Sequence, residues 1–183
     1  FSRDELLAQG LAASTINDPD YVPARGVLDE LEYFDAKLFG YSPYEARVMD
    51  PQHRVFLECA WNALESAGIA PDGRPKAIGV FSSCGFGNYL LRLHNARASI
   101  DFDNAETLLG NDKDHVATRV AYHLNLTGPA MAVQTACSSS LVAIHQACRS
   151  LLAGDCDGAL AGGVSLAVPN RVGYFFSEGG VMS

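Results

Sequence analysis

Residues 132–154 read AVQTACSSSLVAIHQACRSLLAG, and the fold class turns on the corner at Cys137. An apolar stretch over 129–135 has the length and composition of a buried strand. One cysteine and three serines follow, Ser138, Ser139 and Ser140. From 138 to 153 apolar residues recur at helical spacing, and Gly154 stops the helix. A strand that turns sharply into a helix is the repeating step of an α/β sheet protein.

The corner has chemistry of its own. The first turn of a helix carries backbone N–H groups without partners, at the positive end of its dipole. A thiolate is stabilised there, and a cysteine so placed gains nucleophilicity at neutral pH. The same N–H groups can hold a developing oxyanion. Small neighbours, Ala136 and the three serines, let a substrate come close. The logic is that of the hydrolase nucleophile elbow, without the glycines of GxSxG. A plainer reading stands beside it, because free cysteine is among the most buried residue types. The corner by itself leaves both readings open.

Outward from that corner the same alternation continues. Ser2 with Glu5, and Ser42-Pro43-Tyr44-Glu45, are capping boxes that open short helices, the first stopped near Gly10. Residues 17–26 read as loop. Asp50-Pro51 opens a longer helix with an apolar face at Val55, Phe56, Cys59, Ala60, Ala63, Leu64 and Ala67, ended by Gly68. Residues 77–82, AIGVFS, predict a buried strand. A helix is expected over 86–94 and another from Asn111 or Asp112 through Leu124. A last strand is expected over 159–168. Strands alternate with helices, so the class is α/β with a largely parallel, buried sheet.

Composition narrows the function. Of 183 residues 48% are hydrophobic and 19% charged, a globular balance, and the formal charge of −8 argues against a nucleic-acid partner. The uncharged run over 158–168 is too short to span a bilayer, so no membrane partner is expected. The chain opens on Phe1 with no signal-peptide pattern, and reads as a piece of something longer. The five cysteines are odd in number and form no CxxC pair, which disfavours disulfides and zinc and fits a cytoplasmic protein. Cys59 and Cys148 fall on apolar helix faces and read as packing; Cys84 and Cys156 read as structural.

No histidine pairs with Cys137 in sequence. His145 lies eight residues on along the same helix, roughly 12 Å of rise and too far for a hydrogen bond; it reads as packed against the sheet. His115 and His123 are too far apart for an i, i+4 metal pair. His53 reads as a local cap contact and His94 as exposed. No metal site is expected.

Several long segments resemble the ketosynthase (β-ketoacyl synthase) domain of modular polyketide synthases: QTACSSSLVAIHQACRSL, EYFDAKLFGYSPYEARVMDPQHRVFLECAWNALESAG, GNDKDHVATRVAYHLNLTGPA and ALAGGVSLAVP. They cover nearly the whole chain in the family's order. Gln134 stands where many members carry aspartate. With GNDKDHVATR, it is similar to members from hybrid peptide–polyketide and trans-acyltransferase lines. The resemblance implies a thiolase-like fold, layered α/β/α/β/α, of which residues 1–183 hold mainly the first half. It implies a homodimer paired through the edge strand 129–135, which would cover an exposed apolar edge. It aligns Cys137 with the nucleophile that accepts an acyl chain, its backbone N–H forming half of the oxyanion hole. No cofactor is bound; substrates ride on the phosphopantetheine of acyl carrier protein, and adjacent synthase domains are the other partners. Decarboxylation of a malonyl-type unit then yields a β-ketoacyl thioester. The family's two histidine motifs, its lysine, its glycine loop and its first strand are expected outside residues 1–183. That strand is expected to belong in the middle of this half's sheet. A non-condensing or structural relative, and a cysteine hydrolase of another α/β fold, are the alternatives.

Overall fold

Side-chain caps at Ser2, Ser42, Asp50 and Asn104 open four of the helices of the computed structural model, which describes residues 1–69, 77–96 and 104–180. The elements run α1 (Arg3–Ala8), α2 (Ala13–Ile16), β1 (Tyr21–Val22), α3 (Pro43–Val48), α4 (Pro51–Ser66), β2 (Ile78–Cys84), α5 (Tyr89–Asn95), α6 (Ala105–Asn111), α7 (Val116–His123), β3 (Ala130–Ala132), α8 (Ser139–Ala153), β4 (Gly158–Val164) and β5 (Tyr174–Phe175). Two compact units form, Phe1–Glu30 with the chain from Ala167 on, and Leu31–Leu166. Among the described residues no helix is long and apolar enough to cross a membrane.

In the smaller unit β1 and β5 pair antiparallel, Tyr21 opposite Phe175 and Val22 opposite Tyr174. The Tyr21 ring meets Phe175 edge-on at 5.5 Å, and its hydroxyl accepts from the Gly173 N–H at 2.8 Å. The Ser2–Glu5 capping box opens α1 as its spacing predicts, and Leu6 is its buried anchor. The loop expected over 17–26 holds β1, a strand too short to carry a periodic signal.

The larger unit is built on a three-stranded parallel sheet in the order β3-β2-β4. All seven residues of β2 are buried. Its alternate side chains serve two cores, as the period of two requires. Ile78, Val80 and Cys84 join Phe56, Leu57, Ala60 and Leu64 of α4 and Val116, Ala117 and Val120 of α7. Phe81 joins Ala143 and Ala147 of α8. The α8 residues facing the sheet are small, so the helix lies close against it. Gly154, at φ 79°, ends α8 in the left-handed conformation.

Several sequence expectations change in detail. The central position in the described sheet is not vacant: β2 lies between β3 and β4 and hydrogen-bonds to both. The helix expected through Leu124 divides, with Asp112 capping a single 3-10 turn (Lys113–His115) before α7 starts. The helix α6 was not expected, although Asn104 caps it through the Glu106 N–H and was a usable signal. Cys59, Ala63 and Ala67 are exposed because the buried stripe of α4 runs through Phe56, Leu57, Ala60 and Leu64, one position aside. Cys148 and His145 are exposed too: α8 turns Ser139, Ala143, Ala147 and Ser150 inward and leaves Leu141, Ile144 and Leu152 outside with them. His94 is exposed as expected.

Candidate active site

The site is built from the end of β3. Val133 N–H still donates to Ser82 O at 2.7 Å, so the chain follows β2 beyond the three residues of regular strand. At Gln134 the side chain takes over the pairing. With the amide assigned so that each end meets a complementary group, its nitrogen lies 3.2 Å from Cys84 O as donor and its oxygen 3.3 Å from Cys84 N as acceptor. A side chain thereby extends the pairing with β2 by one step beyond the regular strand Ala130–Ala132, which is shorter than the expected 129–135.

The backbone then reverses. Ala136 has φ 53°, in the left-handed region where a residue with a Cβ is uncommon. Two serines hold this strained turn. Ser139 Oγ donates to Ala136 O at 2.7 Å and accepts from Thr135 N–H at 2.8 Å. Ser138 Oγ donates to Thr135 O at 2.7 Å. Ala136–Ser138 form a 3-10 turn, and α8 starts directly after it at Ser139. Cys137 is the middle residue of that turn, and it is exposed. The serines are therefore the clasps of the corner as well as small neighbours, a role that their composition did not reveal.

Cys137 lines a cavity of about 490 Å³ at the carboxyl ends of β2 and β4, with Gly85 and Phe86 on one side and Gly163, Val164 and Ser165 on another. The ends of parallel strands are where open α/β sheets place their sites. A methyl group on Gly163 would run into Ser83 Oγ of the neighbouring β2, while its 3.4 Å distance to Ser140 Cβ of α8 is an ordinary contact, so it is the Ser83 side chain that occupies the space beside this glycine. A second thiol, Cys84, also lines the cavity. Burial pushes it up to about 12, so it stays protonated at neutral pH.

Behind the cavity lies a buried polar pair. Asp50 Oδ1 accepts from the Gln52 N–H at 2.8 Å and so caps α4. Burial holds the Asp50 carboxyl above its usual range, against the lowering effect of that hydrogen bond. Gln52 Oε1 accepts from Leu166 N–H at 3.1 Å, just past β4. Its Nε2 faces Asp50 Oδ2 at 3.4 Å and Gly85 O at 3.5 Å.

His53 is not the local cap contact expected of it. It is 1% exposed, and its Nδ1 accepts from Arg119 Nε at 3.2 Å. The guanidinium also donates to Tyr41 Oη and to Leu109 O, both at 2.8 Å. Burial, and then the Arg119 charge, push His53 down to about 3. It is a neutral strut between α4 and α7, and neither it nor any other histidine lines the Cys137 cavity among the described residues.

The Beta-ketoacyl synthase, N-terminal domain family matches residues 1–183. The chain belongs to the β-ketoacyl synthase family. It is 49% identical over 192 residues to a phenolphthiocerol/phthiocerol polyketide synthase of Mycobacterium tuberculosis, covering 100% of this chain and 13% of that protein. It is 46% identical to the spectinabilin polyketide synthase system protein NorC of Streptomyces orinoci over 85% of this chain and 7% of that one. Ketosynthase twelve of the bacillaene polyketide synthase of Bacillus amyloliquefaciens superposes with a TM-score of 0.83 at 31% identity, over 98% of this chain and 31% of that one. The chain thus carries the first half of a thiolase-like ketosynthase fold, and spans a small part of the curated relatives it matches. A cysteine hydrolase on an unrelated α/β fold is excluded. In ketosynthase terms, the structure gives Cys137 a turn, a cavity and two serine clasps. It adds Gln134 and Cys84 to the cavity lining, and Gln52 and Asp50 packed against the Gly85 and Gly87 backbone beside it; no local sequence signal assigns Cys84, Gln52 or Asp50 to the site.

Proposed function

We propose that Cys137 is the acyl-accepting nucleophile of a 3-oxoacyl-[acyl-carrier-protein] synthase domain. Its thiolate attacks the acyl thioester carried on the phosphopantetheine of acyl carrier protein. A new S–C bond forms at Cys137, and the pantetheine thiol leaves with the proton that the cysteine gave up. A malonyl-type unit on a second carrier then loses CO₂, and its carbanion attacks the acyl carbon. The C–C bond forms, Cys137 leaves as thiolate, and a β-ketoacyl thioester remains on the carrier. The backbone N–H of Cys137 is one donor to the oxyanion of each tetrahedral intermediate. The histidines that assist decarboxylation come, on the family resemblance, from outside residues 1–183.

The observation that carries this reading is the exposed Cys137 at a strained turn inside a cavity whose other thiol, Cys84, is held protonated. The edge position of β3, with Met131 exposed on it, supports pairing of two copies through 129–135. Adjacent synthase domains, a cytoplasmic setting and a hybrid or trans-acyltransferase line belong to the same proposal, the last resting on Gln134 and the segment GNDKDHVATR. In the intact domain, Cys137→Ala is expected to take up no acyl group from an acyl thioester, while Cys84→Ala still loads. Intact-protein mass spectrometry decides, and a loaded Cys137→Ala protein overturns the assignment.

A further inference from the structure

We propose that Gln52 is a positioning residue for the thiol cavity: its buried amide ties together the two strand-end loops, at Gly85 and at Ser165–Leu166, that wall the space in front of Cys137. The inference rests on the reading of Cys137 as the nucleophile.

Gln52 sits in the first turn of α4 and is 1% exposed. A buried amide must find partners for both its ends. Here the partners come from different parts of the chain. Oε1 takes the Leu166 N–H, which follows β4, and Nε2 is aimed at Gly85 O, which follows β2, and at Asp50 Oδ2. The two loops also meet directly, Gly85 N–H donating to Val164 O at 2.7 Å. Gly85 and Ser165 are both wall residues of the cavity. The space between them is filled: a methyl group on Gly85 would lie 3.1 Å from Gln52 Oε1 and 2.7 Å from Ser165 Oγ. One on Gly87 would lie 2.6 Å from Asp50 Oδ2. Glutamine suits the position because it offers an acceptor and a donor at once beside a buried carboxyl. Methionine fills the same volume and offers neither. Glutamate keeps the acceptor, and recovers a donor only when it is protonated.

Gln52 reaches the thiol only through those loops, so its removal acts on the shape of the cavity, and misplacement of about 1 Å is worth up to about a hundredfold in rate. The test uses the intact ketosynthase domain, with a hexanoyl N-acetylcysteamine thioester as acyl donor and mass spectrometry of the acyl-enzyme. Gln52→Met is expected to slow acylation roughly tenfold to a hundredfold per folded molecule, with a lowered melting midpoint because the Leu166 N–H loses its acceptor. Gln52→Glu is expected to be as slow near about pH 8 and to recover toward about pH 6, relative to wild type, as the glutamic acid becomes a donor. The titratable groups around it are Asp50, which touches it, and Arg54, Cys84 and Tyr89 of α5, which interact with Asp50 and are common to both proteins. Wild-type acylation rates per folded molecule in both variants overturn the proposal. So does a Gln52→Glu enzyme whose pH profile parallels the wild type's, and that profile decides alone if the methionine variant does not fold. A wild-type domain that accepts no acyl group sinks the reading of Cys137 instead. Iodoacetamide labelling of Cys137, which needs no acyl donor, then still compares variant with wild type.

Discussion

Gly128 is the residue at which the chain arriving from α7 is laid against β2, and Gly128→Ala measures how much the Cys137 corner depends on that approach. A Cβ there would stand 2.5 Å from Ile78 C, 2.6 Å from Gly79 N and 2.7 Å from Ile78 O. Carbon contacts are comfortable at about 3.5–4.0 Å, so the two backbones must separate by roughly 1 Å. Backbone cannot swing aside as a side chain does. The segment is also held on both sides of the glycine, Gly128 N–H donating to Ile78 O at 3.0 Å and Val80 N–H to Pro129 O at 2.7 Å. Overpacking of this kind costs about 1–3 kcal/mol, and each stretched hydrogen bond adds about 0.5–1.5. At about 2–4 °C per kcal/mol for a chain of this size, the melting midpoint of the domain should fall by several degrees. The displacement also reaches β3, and with it the turn at Ala136, so acyl loading of Cys137 should drop roughly tenfold or more. Calorimetry and acyl-enzyme mass spectrometry read the two effects. Gly26→Ala is the control, since a Cβ there meets nothing within 4 Å and should shift stability by no more than about 0.5 kcal/mol. An unchanged midpoint and loading rate for Gly128→Ala would refute the reasoning.

Brief iodoacetamide treatment of the intact domain should label Cys137 and leave Cys84, buried and pushed up to about 12, until last; equal labelling of both, seen by peptide mapping, contradicts the assignment. His53 is depressed to about 3 in the fold, so between its unfolded value near 6.5 and about 3 the unfolded chain binds a proton that the folded chain refuses. Stability should therefore fall with falling pH in that window by up to about 1.4 kcal/mol per unit. His53→Asn keeps an acceptor for Arg119 without titrating, and should show a shallower acid loss in melts across that range; Asp50, raised by burial, acts in the opposite sense in both proteins and cancels in the comparison. Residues 1–183 expressed alone should not condense acyl and malonyl thioesters, because no histidine lines the described cavity and general acid–base groups are worth about 10²–10⁴-fold. β-Ketoacyl product from that polypeptide would overturn this.

What the sequence determined by itself is local. The capping boxes at Ser2 and Ser42, the Asp50-Pro51 start of α4, the stop at Gly154 and the strand–turn–helix corner at Cys137 all close through hydrogen bonds between residues a few positions apart. Neighbouring residue types are enough to specify such bonds. Burial of a helix face is another matter. Cys59 and Cys148 lie on stripes that periodicity marks as apolar, yet which stripe turns inward depends on where the sheet lies, and the small residues Ala143 and Ala147 take that side of α8. The polar partnerships are more distant still. His53 meets Arg119 across 66 positions and Gln52 meets Leu166 across 114. These residues share no local signal; the strand order β3-β2-β4 brings the ends of β2 and β4 to the first turn of α4, and α7 to its side. Whether a histidine is a cap or a strut, and whether a glutamine is a surface residue or a tie between two loops, is settled only when the parallel sheet has closed and water has been removed from around them, since a buried polar atom must then find its partner within the protein.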